Sequence, residues 1–224
     1  MVITIDGPVA AGKTSAARRL ASRLGFTLLD TGAIYRSLAL SAQRSGLEWR
    51  DETAMSQLAS RMDIRFRQVD DVNRVLLSQD DVTEAIRYPE ISQGASVVSA
   101  LPGVRSALLD LQRQLASNGS VIAEGRDTGT VVFPQADVKF FLTATPQIRA
   151  QRRFLELETR GIDADLPAVL QDLQRRDHRD SSRSVAPLVP APDAVSIDSS
   201  MMSAGDVLAT MLSCIPAGSL LSFS

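Results

Sequence analysis

The chain has 224 residues, enough for one domain of ordinary size or one that carries an insertion, and either buries a real core. With 44% hydrophobic and 22% charged residues and a formal net charge of −2, it has no general attraction for a nucleic acid polymer or an anionic membrane, so any positive field is local. A single cysteine, Cys214, and a single histidine, His178, exclude an intramolecular disulfide and a multi-histidine metal site and fit a reducing compartment.

The amino terminus enters Val2-Ile3-Thr4-Ile5 with no basic region or signal-type apolar run, and no uncharged stretch is long enough to span a bilayer. A cytoplasmic protein that binds no membrane and no nucleic acid polymer is expected. Apart from Lys13 and Lys139, the 24 Lys and Arg residues are all arginines. One reading is the codon bias of a GC-rich genome. The other, which applies only where arginines cluster, is bidentate phosphate binding by guanidinium forks.

In chain order, Val2–Ile5 reads as a strand that runs into a glycine loop, and Ser15–Leu24 as a helix with Ala16, Leu20 and Leu24 on one face, stopped by Gly25. Phe26–Asp30 reads as a second strand, and Thr31 as the cap of a helix that carries Ile34, Leu38 and Ala42 to about Gly46. Two successive strand-helix units predict a parallel sheet covered by helices. From about Leu47 to Tyr88, Ile64 and Phe66 alternate with polar residues, as do Val75 and Leu77, and Asp70-Asp71 and Gln79-Asp80-Asp81 read as turns, so a small antiparallel insertion is expected. Val104, Leu108, Leu111 and Leu115 mark a helix broken at Asn118-Gly119, before strands at Val121–Ala123 and Val138–Leu142. A long Arg-rich helical stretch follows from Pro146 to about Asp180, interrupted near Gly161, then a strand at Val195–Ile197, a helix at Ala204–Leu212 and a frayed end from Pro216.

Residues 7 to 15, Gly7-Pro8-Val9-Ala10-Ala11-Gly12-Lys13-Thr14-Ser15, satisfy the P-loop pattern at Gly7, Gly12, Lys13 and Thr14, between a strand and a helix. Glycines let backbone N–H groups face anionic oxygens, the lysine reaches the β- and γ-phosphates of a nucleoside triphosphate, and the hydroxyl coordinates Mg2+. The positive end of the following helix is aimed at the same place. Val9 is β-branched and is expected to keep φ negative. The loop alone leaves a GTPase, a motor ATPase, a small-molecule kinase and a non-catalytic nucleotide-binding module open. A guanine-reading Asn-Lys-x-Asp motif is impossible, because Lys139, the only lysine outside the loop, follows Val138; Phe26–Asp30 passes only as a short Walker B strand.

Ligands of open α/β sheets gather beyond the carboxyl ends of the strands. There lie Asp30-Thr31-Gly32 with Tyr35-Arg36, and Glu124-Gly125-Arg126-Asp127. Arginines in such places bind a second phosphate, and acids accept from a base or sugar; elsewhere the same pairs are solvated salt bridges. Arg149, Arg152 and Arg153 share one helix face by spacing, either aimed at a ligand or solvated and paired with Glu156 and Glu158.

Ile5-Asp6-Gly7-Pro8, Leu29-Asp30-Thr31-Gly32-Ala33-Ile34-Tyr35-Arg36, the run Gly125 to Pro134, and Arg176-Asp177-His178-Arg179-Asp180 through Arg183 to Leu188 resemble the bacterial cytidylate kinases, in order and over nearly the whole chain. The resemblance implies a three-layer α/β P-loop NTPase fold: a five-stranded parallel sheet flanked by helices, a small antiparallel acceptor-side insertion at about 47–90 and a helical lid at about 146–165, all in one kinase domain. It implies Mg2+-dependent phosphoryl transfer from ATP to CMP or dCMP; a monomer is expected, although the sequence itself leaves self-association open. Arg36, Arg126 and Arg183 match arginines on the acceptor phosphate, Ser96, Arg105 and Asp127 match readers of the cytosine edge, and Arg176 and Asp180 match groups at the sugar. Asp30 and Thr31 join this acceptor set. An Asp accepts from the exocyclic amine that uracil lacks, which favours CMP over UMP. Lys13 and Arg126, with Arg149, Arg152 and Arg153 on the lid, are the expected catalytic set, since charge spread over the transferring phosphoryl is what such groups stabilise. The family usually has a small residue at Val9 and often Gly-Thr at Thr14-Ser15, so which of the two hydroxyls faces the metal stays open, with Thr14 favoured by the pattern.

Overall fold

The computed structural model describes residues 1–69, 72–117 and 119–216. The turn expected at Asp70-Asp71, the break at Asn118 and the chain end beyond Pro216 lie outside these residues. The strands are β1 (Val2–Asp6), β2 (Thr27–Asp30), β3 (Ile64–Val69), β4 (Val72–Leu77), β5 (Asp80–Asp81), β6 (Val121–Gly125), β7 (Val138–Thr143) and β8 (Val195–Asp198). The helices are α1 (Lys13–Leu24), α2 (Thr31–Arg44), α3 (Glu52–Ser60), α4 (Pro89–Val98), α5 (Pro102–Leu115), α6 (Pro146–Thr159), α7 (Leu166–Ser181) and α8 (Ala204–Ser213). A five-stranded sheet has the order β2-β6-β1-β7-β8, and β3-β4-β5 form a separate three-stranded sheet. By contacts the chain divides into two compact units, Met1–Phe26 with the chain from Ile122 onward, and Thr27–Val121.

In the first unit β1 and β7 run parallel from Ile3 opposite Val138 to Asp6 opposite Phe141, and β7 continues parallel to β8 from Phe140 opposite Val195 to Thr143 opposite Asp198. One face of this pair is apolar, with Ile3, Ile5, Phe140 and Leu142, whereas the other buries Thr4, Asp6 and Lys139. Ile3, Ile5, Phe140, Leu142 and Ile122 are buried with Leu20 of α1 and Met211 of α8. Each such side chain contributes about 1.5–3 kcal/mol by leaving water. The helices are set by local chemistry. Gly25 ends α1 at φ 67, Asp165 caps α7 by accepting from the Ala168 N–H, and Ser203 with Asp206 forms a reciprocal capping box on α8.

In the second unit β3 and β4 pair antiparallel from Ile64 opposite Leu77 to Val69 opposite Val72. The sequence missed α3 and α4, which lie in and after the stretch read as strands and turns. Only Met55 and Ala59 of α3 are buried, so its apolar stripe is too thin to read, although Asp51 is a capping signal and accepts from the Ala54 N–H. α4 begins on Pro89 and buries Ile91, Ala95 and Val98; at Gly94 a Cβ would collide with the Trp49 ring, so glycine there admits the indole. Asp30, not Thr31, caps α2: its carboxylate accepts from the Ala33 N–H at 2.8 Å, and Thr31 is the first helical residue.

Candidate active site

The phosphate loop leaves β1 and turns into α1 through three residues at positive φ: Gly7 (148°), Ala10 (58°) and Gly12 (93°). Val9 keeps φ negative, as expected of a β-branched residue, and the left-handed position falls on its neighbour Ala10. Gly7 is demanded by space as well, because a Cβ there would overlap the Leu142 carbonyl. Lys13 is 6% exposed, and its Nζ donates to the Pro8 carbonyl at 2.7 Å. Burial first, and then the charge of Arg126, push its ammonium down to about 7, against the opposite pull of Glu124, Asp6 and Asp180. The Thr14 hydroxyl donates to Glu124 Oε2 at 3.0 Å, at the end of the strand next to β1. From behind, Arg149 Nη1 donates to the Val9 carbonyl at 3.1 Å, and Ser199 Oγ lies 3.3 Å from the Ala11 carbonyl.

Beyond β6 the chain forms a π-helical turn, Thr128–Val132, in which the Asp127 carbonyl accepts from the N–H groups of Val131 and Val132. Asp6, buried at the end of β1, fixes this turn. Its Oδ1 accepts from the Thr128 N–H and hydroxyl at 2.9 and 2.8 Å, and its Oδ2 from the Gly129 N–H at 2.7 Å. Burial pushes the Asp6 carboxyl above its ordinary value despite the donors that pull it down. At Gly129 a Cβ would press on Thr4 Oγ1. One strand thus supplies the loop and anchors the segment that carries Arg126 and Asp127.

Arg126 Nε donates to Asp180 Oδ2 at 2.9 Å and its Nη1 to the Gly125 carbonyl at 3.2 Å, while Arg183 Nη2 donates to Asp180 Oδ1. Burial alone would raise the Asp180 carboxyl, but Arg126, Arg183 and Arg176 together hold it below the usual carboxylate range. Arg176 is brought down to about 10 by burial and then by Arg126, and so stays charged at neutral pH. In the second unit, Asp30 Oδ2 accepts from Arg36 Nη2 at 2.7 Å, and Thr31 and Ser96 are buried. Arg105, also buried, donates to the Ser99 carbonyl at 3.0 Å and lies over the Tyr35 ring, 5.6 Å from its centroid.

A family model described as cytidylate kinase matches residues 3–217. The chain belongs to the cytidylate kinase family. Named cytidylate kinases of Syntrophotalea carbinolica and Pasteurella multocida are 49% and 46% identical to it, each over 215 residues, covering 96% of this chain in both cases and 92% and 95% of the relatives. A solved structure of a protein from Eubacterium ventriosum, 10% identical, covers 95% of this chain and 96% of its own at TM-score 0.50, a likeness of fold alone.

As a cytidylate kinase, the chain brings Lys13, Thr14, Arg126, Asp127, Arg149, Arg176, Asp180 and Arg183 into one unit, while Asp30, Thr31, Arg36, Ser96 and Arg105 belong to the other. The three arginines of α6 differ. Arg149 is buried and bonded to protein acceptors through all its nitrogens; Arg152 donates to Ser199 Oγ at 3.0 Å and to the Ser199 carbonyl at 2.7 Å; Arg153 pairs with Glu156 at 2.8 Å. Four residues of the site were not singled out from the sequence for the places they hold. Asp6 carried a signal, an acid ending a hydrophobic strand. So did Glu124, since Val121-Ile122-Ala123-Glu124 is an apolar run ending in an acid, a better Walker B strand than Phe26–Asp30. Asp177 and Ser199 act through tertiary contacts that no local pattern announces.

Proposed function

We propose that the protein transfers the γ-phosphoryl group of ATP to CMP and dCMP, giving ADP and CDP or dCDP. The observation that carries this reading is the match to cytidylate kinases along nearly the whole chain at 46–49% identity, with the phosphate loop intact. Residues 7 to 15 cradle the triphosphate, and Lys13 bridges its β- and γ-phosphates. Arg126 and Arg183 hold the acceptor phosphate, Asp127 accepts from the cytosine amine, and Arg176 and Asp180 serve the sugar. From the second unit, Arg36 is assigned to phosphate, and Ser96 and Arg105 to the cytosine edge. Because an acceptor phosphate is ionised near neutral pH, positioning and charge stabilisation supply the rate without a dedicated base.

Mg2+ fits the residues present. Thr14 Oγ1 and Glu124 Oε2 are hard oxygen donors 3.0 Å apart beside Lys13, and among the described residues no cluster of three or more His, Cys, Asp or Glu forms a complete cage. A cation held by few protein oxygens and completed by phosphate and water is the habit of Mg2+ at nucleotide sites. When bound it neutralises charge on the phosphates; Thr14 and Glu124 are the residues proposed to hold it, directly or through water. Among the described residues no helix is long and apolar enough to cross a membrane.

Coupled ADP release in the presence of CMP, dCMP, UMP and AMP tests the reading. Turnover with CMP and dCMP at efficiencies well above those with UMP and AMP is expected. Folded protein that releases no ADP in response to CMP would overturn it.

A further inference from the structure

Arg149 sits in the first turn of α6 with a side chain only 5% exposed, and each guanidinium nitrogen has a protein partner. Nε donates to the Ala144 carbonyl at 2.9 Å, Nη1 to the Val9 carbonyl at 3.1 Å, and Nη2 to Asp177 Oδ2 at 2.6 Å. Three of its five N–H donors, one on each nitrogen, are thus spent on protein acceptors. We propose that Arg149 and Asp177 are positioning residues that set the phosphate loop for ATP by fixing the Val9–Ala10 peptide from behind.

A trans peptide is planar, so its C=O and N–H point in opposite directions. Holding the Val9 oxygen toward Arg149 therefore directs the Ala10 N–H to the other side of the same peptide, away from Arg149. Ala10 adopts φ 58, a left-handed conformation that a residue with a Cβ adopts only when its surroundings impose it. Arg149 is a rigid imposing group because it is tied at both of its other corners. Asp177 keeps the carboxylate there for its charge: one oxygen meets Arg149, while Oδ1 is buried and makes no hydrogen bond among the described residues. A buried guanidinium needs such a counterion.

The location of Asp177 gives the pair a second consequence. It lies on α7 one turn before Asp180, the carboxylate that holds Arg126 and Arg183. One helix therefore carries, three residues apart, the anchor of the loop clamp and the anchor of the arginine cluster. The spacing of α7 sets both groups in one register.

The proposal rests on the loop binding ATP. Protein that binds MgATP but does not phosphorylate CMP would remove the acceptor assignment and leave this test standing. Arg149→Met, Asp177→Leu and the double variant are compared with wild type by calorimetric titration of MgATP and of CMP and by thermal denaturation. Each single variant is expected to bind MgATP about tenfold more weakly and to melt lower, with CMP affinity within about twofold. In the double variant no buried charge is left alone, so the melting temperature returns toward wild type while MgATP binding stays about tenfold weak. Recovery of both together would mean that the pair only supports the fold and would overturn the proposal, as would an equal loss of CMP and MgATP affinity. Should these variants fail to fold, Arg149→Lys keeps the charge but cannot span Ala144, Val9 and Asp177 at once. It is expected to weaken MgATP about fivefold at nearly unchanged melting temperature, and unchanged affinity would overturn the proposal.

Discussion

The phosphate loop and the arginine cluster around Asp180 hold their cations in opposite ways. Lys13 is one buried ammonium whose hydrogen bond is to a neutral carbonyl, so burial brings its pKa to about 7. Arg126, Arg176 and Arg183 gather around Asp180, and Arg126 and Arg183 each donate to one of its oxygens. The first arrangement leaves a proton free to come and go near neutral pH; the second orients its guanidinium groups on a shared carboxylate, and even Arg176, brought down to about 10, stays charged at neutral pH. The difference follows from the side chains, since burial brings the lysine down to about 7 but the arginine only to about 10.

Removing the shared anion tests the second arrangement hardest. Asp180→Ala leaves like charges facing one another in a buried site, and a loss of about 3–5 kcal/mol in unfolding free energy is expected, measured by denaturant titration. A loss below about 1 kcal/mol would mean that the cluster is solvated and that the carboxylate is not its organiser. Removing the donor cation tests the first arrangement. Lys13→Ala is expected to lower kcat about 10²–10³-fold, the usual value of one preorganised donor at developing charge, without loss of stability, since an unfavourably buried ammonium has gone. Activity near wild type in steady-state assays would separate Lys13 from phosphoryl transfer.

The two regions also differed in how far the sequence exposed them. The loop was readable residue by residue because its function is backbone geometry, and backbone geometry selects residue types locally: Gly7 and Gly12 take positive φ, and Val9 does not. Strands β1, β2, β6, β7 and β8 were readable by their apolar runs, and α1, α5 and α8 by their stripes. α3 was not, because a helix that buries only Met55 and Ala59 leaves little periodicity. What holds the loop was hidden for another reason. Asp6 reaches Thr128, Arg149 reaches Val9 and Ser199 approaches Ala11, and these partners are more than a hundred residues apart in the chain. The regular spacing of Arg149, Arg152 and Arg153 announced a common helix face, yet the three end on different partners, which spacing does not encode.

A smaller effect sharpens the contrast on the acceptor side. Asp127 is buried immediately after Arg126, on the segment fixed by Asp6. Asp127→Ala is expected to weaken CMP by about 1–3 kcal/mol, the value of one good base-edge contact, and to leave MgATP affinity unchanged in parallel titrations. Equal losses for the two nucleotides would show that Asp127 supports the common framework and does not read cytosine.

The last expected effect is the proton itself. Because Lys13 titrates at about 7 in the nucleotide-free protein, it is mostly neutral at pH 8.5, and the folded state then carries fewer protons than the unfolded chain, where a lysine titrates near 10.5. Its burial cost is therefore greatest below pH 7 and is relieved between pH 7 and 10.5, so this group makes unfolding free energy rise with pH across that window. Triphosphate oxygens beside Nζ favour the charged form, so MgATP binding at pH 8.5 should draw in about one proton, and affinity should fall by up to about 1.4 kcal/mol per pH unit above 7. Titration calorimetry in buffers of different ionisation enthalpy measures that uptake directly. Lys13→Met should abolish it, whereas Asp127→Ala should leave it intact because Asp127 is proposed to read the acceptor base. If wild type binds MgATP with no proton uptake, Lys13 is already charged before the nucleotide arrives, and the donor and acceptor cations are held in the same way after all.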